Sequence, residues 1–190
     1  MFEIKTYLEL ESYDYSDPYY MENPSAKYIE IDDLSNIRKI VDHRKFTPEH
    51  IQQLITIKYN EMVVVGFEVP SGLSLWESTF IHAIEDYLHV GKVEMMYSID
   101  LEILTLESIN NNQMKFSIFH EWDSELVYAS AILPEKEFIE SMLTEANHYF
   151  QKLIDYKIFE EKRLDENTPR DYPQQMIKIV EELRRKINNV

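Results

Sequence analysis

Cysteine is absent from this chain of 190 residues, and glycine occurs only three times. Without cysteine there is no disulfide, no zinc–thiolate site and no thiol nucleophile. Loops that cradle phosphate, such as GxGxxG, need several clustered glycines, and Gly66, Gly72 and Gly91 cannot form one. Neither a GxSxG serine elbow nor an HExxH zinc motif occurs. These absences exclude several large enzyme classes, and the sequence predicts no cofactor.

Long hydrophobic runs are missing as well. The longest is Met62–Val65, whereas a membrane-spanning helix needs about 20 apolar residues. The first ten residues include the charged side chains Glu3, Lys5 and Glu9, so they lack the unbroken apolar segment of a secretion signal. We therefore expect a cytoplasmic protein that does not associate with membranes.

Basic residues are few: 19 Lys and Arg stand against 35 Asp and Glu, which gives a formal net charge of -16. The densest basic segments, around Arg38 and Arg184–Lys186, lie next to acidic residues rather than forming a groove for phosphates. A strongly negative field opposes nucleic acid and anionic lipid and attracts basic surfaces. The charge predicts no nucleic-acid binding and favours a basic protein partner.

The chain is rich enough in apolar residues, at 44% hydrophobic and 13% aromatic, to form one folded domain over residues 1–190. Apolar alternation and β-branched runs predict strands near residues 2–12, 28–31, 62–69, 93–106, 114–121 and 126–133. Residues 13–27 have no periodicity and are predicted as a loop. Helical spacing predicts helices that begin near Leu34, at Thr47-Pro48, at a capping box Ser74–Glu77, at Pro134 and at Pro173.

The turns between the last three predicted strands are short. They fall at Asn110–Asn112 and at Asp123-Ser124, residue types that favour tight turns. Connections of this length require antiparallel neighbours. We therefore predict an α+β fold in which an antiparallel β-meander is packed on one face by amphipathic helices.

One set of side chains has metal-ligand character. His82, Asp86 and His89 have the spacing i, i+4 and i+7 on the helix after Trp76, which places them on one helical face. Two imidazoles and a carboxylate are suitable ligands for zinc or iron. However, this face lies opposite the apolar stripe that contains Phe80. We therefore predict a solvated face and no metal, with the metal site as the alternative.

The segment from Glu9 to Asp33 is acidic and rich in tyrosine. Tyrosines are enriched at protein interfaces, and carboxylates around them attract a basic partner. The alternative is a solvated loop whose tyrosines pack back onto the sheet. Trp122, at a predicted hairpin tip, is a further contact candidate. The predicted contact residues are Glu11, Asp14, Tyr15, Asp17, Tyr19, Tyr20 and Trp122.

The hairpin MKFSIFHEWDSELVYASAI, followed directly by the helix LPEKEFIESMLTEANHYFQKL, resembles a pattern in immunity proteins of bacterial polymorphic-toxin systems. The resemblance covers about residues 113–155 and the overall charge, and it includes no diagnostic motif. Many such proteins are small, acidic and cysteine-poor. The resemblance implies a protein that neutralises a toxin, often a basic nuclease, by covering its active cleft.

Three functions are therefore compatible with the sequence. The first is a non-enzymatic binding protein, in its most concrete form an immunity-like inhibitor of a basic toxin. The second is a metal-dependent enzyme that uses His82, Asp86 and His89. The third is a structural module that self-associates through the last helix or an exposed edge of the meander.

Overall fold

A computed structural model describes residues 1–10, 16–41, 47–98, 101–110, 112–159 and 168–188. Within these ranges the strands are β1 Phe2–Glu9, β2 Tyr28–Glu30, β3 Gln52–Tyr59, β4 Met62–Val65, β5 Gly72–Leu73, β6 Lys92–Met96, β7 Glu102–Ile109, β8 Gln113–His120 and β9 Asp123–Pro134. The helices are α1 Pro18–Glu22, α2 Leu34–Val41, α3 His82–Val90, α4 Glu135–Asp155 and α5 Tyr172–Asn188.

The strands form two sheets, and every pairing is antiparallel. The first has the order β2-β1-β3-β4, with β5 also paired to β3. The second is the meander β6-β7-β8-β9. The α+β prediction with an antiparallel meander is therefore confirmed, whereas the separate five-stranded sheet was not predicted.

The long helix α4 packs against both sheets, because its apolar stripe is wide enough to reach each of them. The ring of Phe138 lies 5.5 Å from that of Phe2 in β1 and 5.6 Å from that of Phe116 in β8. Helix α5 packs against α4, with the ring centroids of Phe150 and Tyr172 6.0 Å apart, and its residues Val180 and Leu183 are buried. The buried side chains of both sheets and of the helices form one continuous core.

The predicted helix after Thr47-Pro48 is wrong. A short 3-10 turn, Pro48–His50, is followed by strand β3. Ile51, Leu54 and Ile55 are spaced as in a helix, but β3 is a central strand that is buried from Gln53 to Ile57. A strand that is covered on both faces does not alternate between apolar and polar residues, so its apolar run is compatible with a helix as well as with a strand.

The capping box at Ser74 is also wrong. Gly72 and Leu73 pair with β3, and Ser74 then adopts a left-handed conformation with φ 46°. The helix begins with a π-helical segment, Trp76–Ile81, that continues into α3. Instead of capping this helix, the Glu77 carboxylate accepts a hydrogen bond of 2.7 Å from the Tyr172 hydroxyl of α5.

Two smaller predictions of local structure need correction. The strand expected over 93–106 is the hairpin β6–β7, which the amide of Tyr97 helps to close by donating to the carbonyl of Glu102 at 2.7 Å. The loop expected over 13–27 contains the short helix α1, whose N-cap is Asp17.

Candidate binding surface

The β8–β9 hairpin places Trp122 in solvent. His120 pairs with Asp123, so Glu121 and Trp122 form the two-residue turn, rather than Asp123-Ser124 as the sequence suggested. The Trp122 amide donates to Nδ1 of His120 at 3.3 Å, and the two rings meet edge to face with centroids 6.4 Å apart. The indole nevertheless remains 76% exposed. The sequence prediction that Trp122 lies at a hairpin tip is confirmed.

An apolar row crosses the meander next to this turn. The strand register places Met96, Ile103, Phe119 and Val127 side by side, one from each of the four strands. This outer apolar row lies on the face opposite Leu104 and Phe116, which are buried in the core, because successive side chains point to opposite faces of a strand. Met96 and Val127 are 51% and 49% exposed, and Ile103 and Phe119 are half-buried.

Carboxylates surround the row and Trp122. Glu94, Glu121, Asp123 and Glu125 are all exposed. In the described part of the chain, none of these four forms an ion pair with a lysine or arginine. The cations on the same face, Lys92 and Lys115, each lie four residues along their strand from the row, and Lys92 pairs with Glu107 at 3.2 Å. The end of the sheet with Trp122 is therefore both apolar and uncompensated in charge.

The predicted tyrosine segment is described only in part. Glu11, Asp14 and Tyr15 lie outside the described residues. The Asp17 carboxylate accepts from the amide of Tyr19 at 2.9 Å and caps α1. Tyr19 is 55% exposed and its ring meets the half-buried ring of Tyr20 edge to face, 5.3 Å apart. The short helix α1 connects β1 to β2 of the five-stranded sheet, whereas Trp122 belongs to the meander.

His82, Asp86 and His89 lie exposed on α3, on the face opposite the buried Ala83 and Ile84. Over the ranges that the structure describes, no group of three or more His, Asp or Glu side chains converges as metal ligands do. Within these ranges, therefore, no structural observation favours the metal-dependent alternative.

Sequence reasoning missed a partly buried network of hydrogen bonds that joins Trp76, Thr6 and Glu145. The Trp76 indole donates through Nε1 to the Thr6 hydroxyl at 3.0 Å, and this hydroxyl donates to Oε1 of Glu145 at 3.0 Å. Burial raises the pKa of Glu145 to about 7, against the weaker effects of the Thr6 hydrogen bond and nearby His148. The one sequence signal is the position of Glu145 on the apolar face of α4, three residues after Met142.

An open groove of about 750 Å3 lies between β1 and α4, next to the hydrogen bond from Thr6 to Glu145. Its lining includes Glu30, Asp32 and Glu145. Unlike the carboxylates near Trp122, several of these have cationic partners. Glu30 pairs with Lys5 at 3.0 Å, and Asp32 pairs with Lys152 at 2.6 Å. Burial opposes ionisation of Asp32, but hydrogen bonds from Lys152 and His148 lower its pKa overall.

A scan against protein-family models and searches of curated proteins and of solved structures found no match to this chain. Among the described helices, none combines the length and the apolar composition that crossing a bilayer requires.

Proposed function

We propose that this chain is a non-enzymatic binding protein whose partner is a basic protein. The observation that carries the proposal is Trp122, an indole 76% exposed on a hairpin whose carboxylates Glu121, Asp123 and Glu125 have no cationic partner among the described residues. In its most concrete form the protein is an inhibitor that covers the cleft of a basic toxin, as the resemblance to immunity proteins implies.

Carboxylates and indole have different roles in this mechanism. Long-range attraction between a chain of net charge -16 and a basic partner accelerates encounter, and salt screens it. Burial of a large, rigid aromatic side chain then slows dissociation, because tryptophan is enriched among the residues that dominate binding energy. Exposed carboxylates therefore set the association rate, and Trp122 sets the lifetime of the complex.

The tyrosine segment is a second contact region in this proposal. Asp17 and Tyr19 repeat the combination of carboxylate and exposed ring on α1. Tyr20, and Glu11, Asp14 and Tyr15 outside the described residues, remain predicted contacts. Variants in the Trp122 hairpin and in α1 measure the contribution of each region to binding separately.

The test has two steps: the genes adjacent to this one are searched for a basic protein, and the association of that protein with the purified chain is measured by stopped flow. We expect the association rate to fall by about tenfold or more between low and physiological ionic strength. Trp122→Ala should raise the dissociation rate, and Glu121→Gln with Asp123→Asn and Glu125→Gln should slow association. Tyr19→Ala tests α1 in the same assay.

Two results would overturn the proposal. One is an association rate independent of salt. The other is a complex whose lifetime is unchanged in both Trp122→Ala and Tyr19→Ala. Light scattering on the free chain provides a check on the third sequence hypothesis, because a stable homo-oligomer would favour self-association.

A further inference from the structure

We infer that the basic partner docks across the outer face of the meander, with its apolar side chains on the outer apolar row and its cationic side chains on the surrounding carboxylates. This inference rests on the proposed function, and it identifies the surface that carries the interaction.

The geometry of the row suits an extended protein segment. Adjacent strands are about 4.8 Å apart, so Met96, Ile103, Phe119 and Val127 span about 14 Å across the sheet. Trp122, which is 76% exposed, lies at the turn that follows Phe119. Contiguous exposed apolar side chains with a polar rim mark interaction sites rather than ordinary surface.

The negative charge around the outer apolar row indicates which kind of partner binds there. Glu121, Asp123 and Glu125 form an acidic border on the side of Trp122, and Glu94 lies on the other side of the row, two residues before Met96 on β6. A second copy of this chain would bring the same carboxylates face to face, and nucleic acid or anionic lipid would bring phosphates to them. A basic protein segment satisfies both features, because it supplies apolar contact and opposite charge together.

Arginine is the cation that fits this border best. Its planar guanidinium stacks on an indole and donates two parallel hydrogen bonds to a carboxylate. Trp122 with neighbouring Glu121 and Asp123 offers both contacts at one turn. Lysine, a compact and strongly hydrated point charge, gains less from the indole face.

The test uses a nine-residue peptide of alternating arginine and valine, titrated calorimetrically into the full chain. The control peptide alternates glutamate and valine. The variant Met96→Thr/Val127→Thr removes two apolar side chains of the row and keeps strand-forming residues. The matched control is Ile132→Thr, which changes a side chain 58% exposed on the same strand but beside Lys115, away from the row.

We expect the arginine peptide to bind and the glutamate peptide not to bind. The double variant should weaken binding by about tenfold or more, because burial of each apolar side chain contributes a large part of the affinity. Ile132→Thr should bind as the wild type does. Amide chemical-shift changes should fall on β6–β9.

Each opposing outcome has a distinct meaning. If the double variant binds the arginine peptide as tightly as Ile132→Thr does, the docking surface is wrong. Loss of binding in Trp122→Ala alone would then leave the proposed function standing. If neither peptide binds, or both bind equally, the docking inference fails, and the partner assay above decides the proposed function separately.

Discussion

The partly buried carboxyl of Glu145 makes stability depend on pH in a direction that can be measured. In the folded protein its pKa is raised from 4.5 to about 7, chiefly by burial. Between these values the folded chain holds a proton that the unfolded chain has released. Because the unfolded state binds fewer protons, the free energy of unfolding falls as pH rises through this window.

The size of this effect follows from the shift. A pKa shift of this size corresponds to at most about 3.4 kcal/mol. Solvent reaches part of the side chain in the groove and screens its charge, so we expect a loss of about 2 kcal/mol between pH 5 and pH 8. Glu145→Gln retains an oxygen that can accept from Thr6 and never ionises. The variant should therefore match the wild type near pH 5 and exceed it near pH 8.

The assay is urea unfolding of both proteins at the two pH values. Asp32 and His148, the titratable groups that act on Glu145, are present in both, so most of their contribution cancels. Glu140→Gln is the matched control, since Glu140 is exposed one turn earlier on α4 and should change stability by less than about 0.5 kcal/mol. Equal stability differences at both pH values for Glu145→Gln would refute the reasoning.

Three further predictions concern single residues. Thr6→Val removes the acceptor of the Trp76 indole and should lower the free energy of unfolding by about 2 kcal/mol in urea, whereas Thr6→Ser should not; unchanged stability in Thr6→Val would contradict it. Trp122→Ala should change the free energy of unfolding by less than about 0.5 kcal/mol. It should also sharply reduce quenching of tryptophan fluorescence by acrylamide, because the remaining tryptophan, Trp76, is fully buried; persistent quenching would contradict this. Gly91→Ala should destabilise by about 1 kcal/mol in thermal melts, since φ is 74°, and an unshifted transition would disprove this.

Sequence patterns predicted the strands and helices in which one face is apolar and the other polar, because that periodicity lies within the segment itself. The alternation Phe2, Ile4, Thr6 and Leu8 identified β1, and the stripe from Phe138 identified α4. The prediction failed for strand β3 because consecutive side chains on both of its faces, Leu54 and Thr56 on one and Ile55 and Ile57 on the other, are buried, so the strand shows no alternation.

The candidate surface could be predicted only where it lies within one short segment. Trp122 was found because a tight turn exposes its residues. The outer apolar row was not, because its four members come from four strands and meet only through their register. The Thr6 and Glu145 contact joins residues 139 positions apart, and no local pattern encodes it.

The ring of Phe138, held between Phe2 and Phe116, has a consequence for how the molecule loses its structure. This one aromatic side chain contacts both sheets, which share no hydrogen-bonded strand pair among the residues that the structure describes. If one sheet separates from Phe138, the ring loses its position and the apolar face of the other sheet is exposed to water as well. Heating should therefore unfold both sheets in one cooperative transition. The N-terminal ninety residues expressed alone do not include α4, so the apolar face of β1 should be exposed to water.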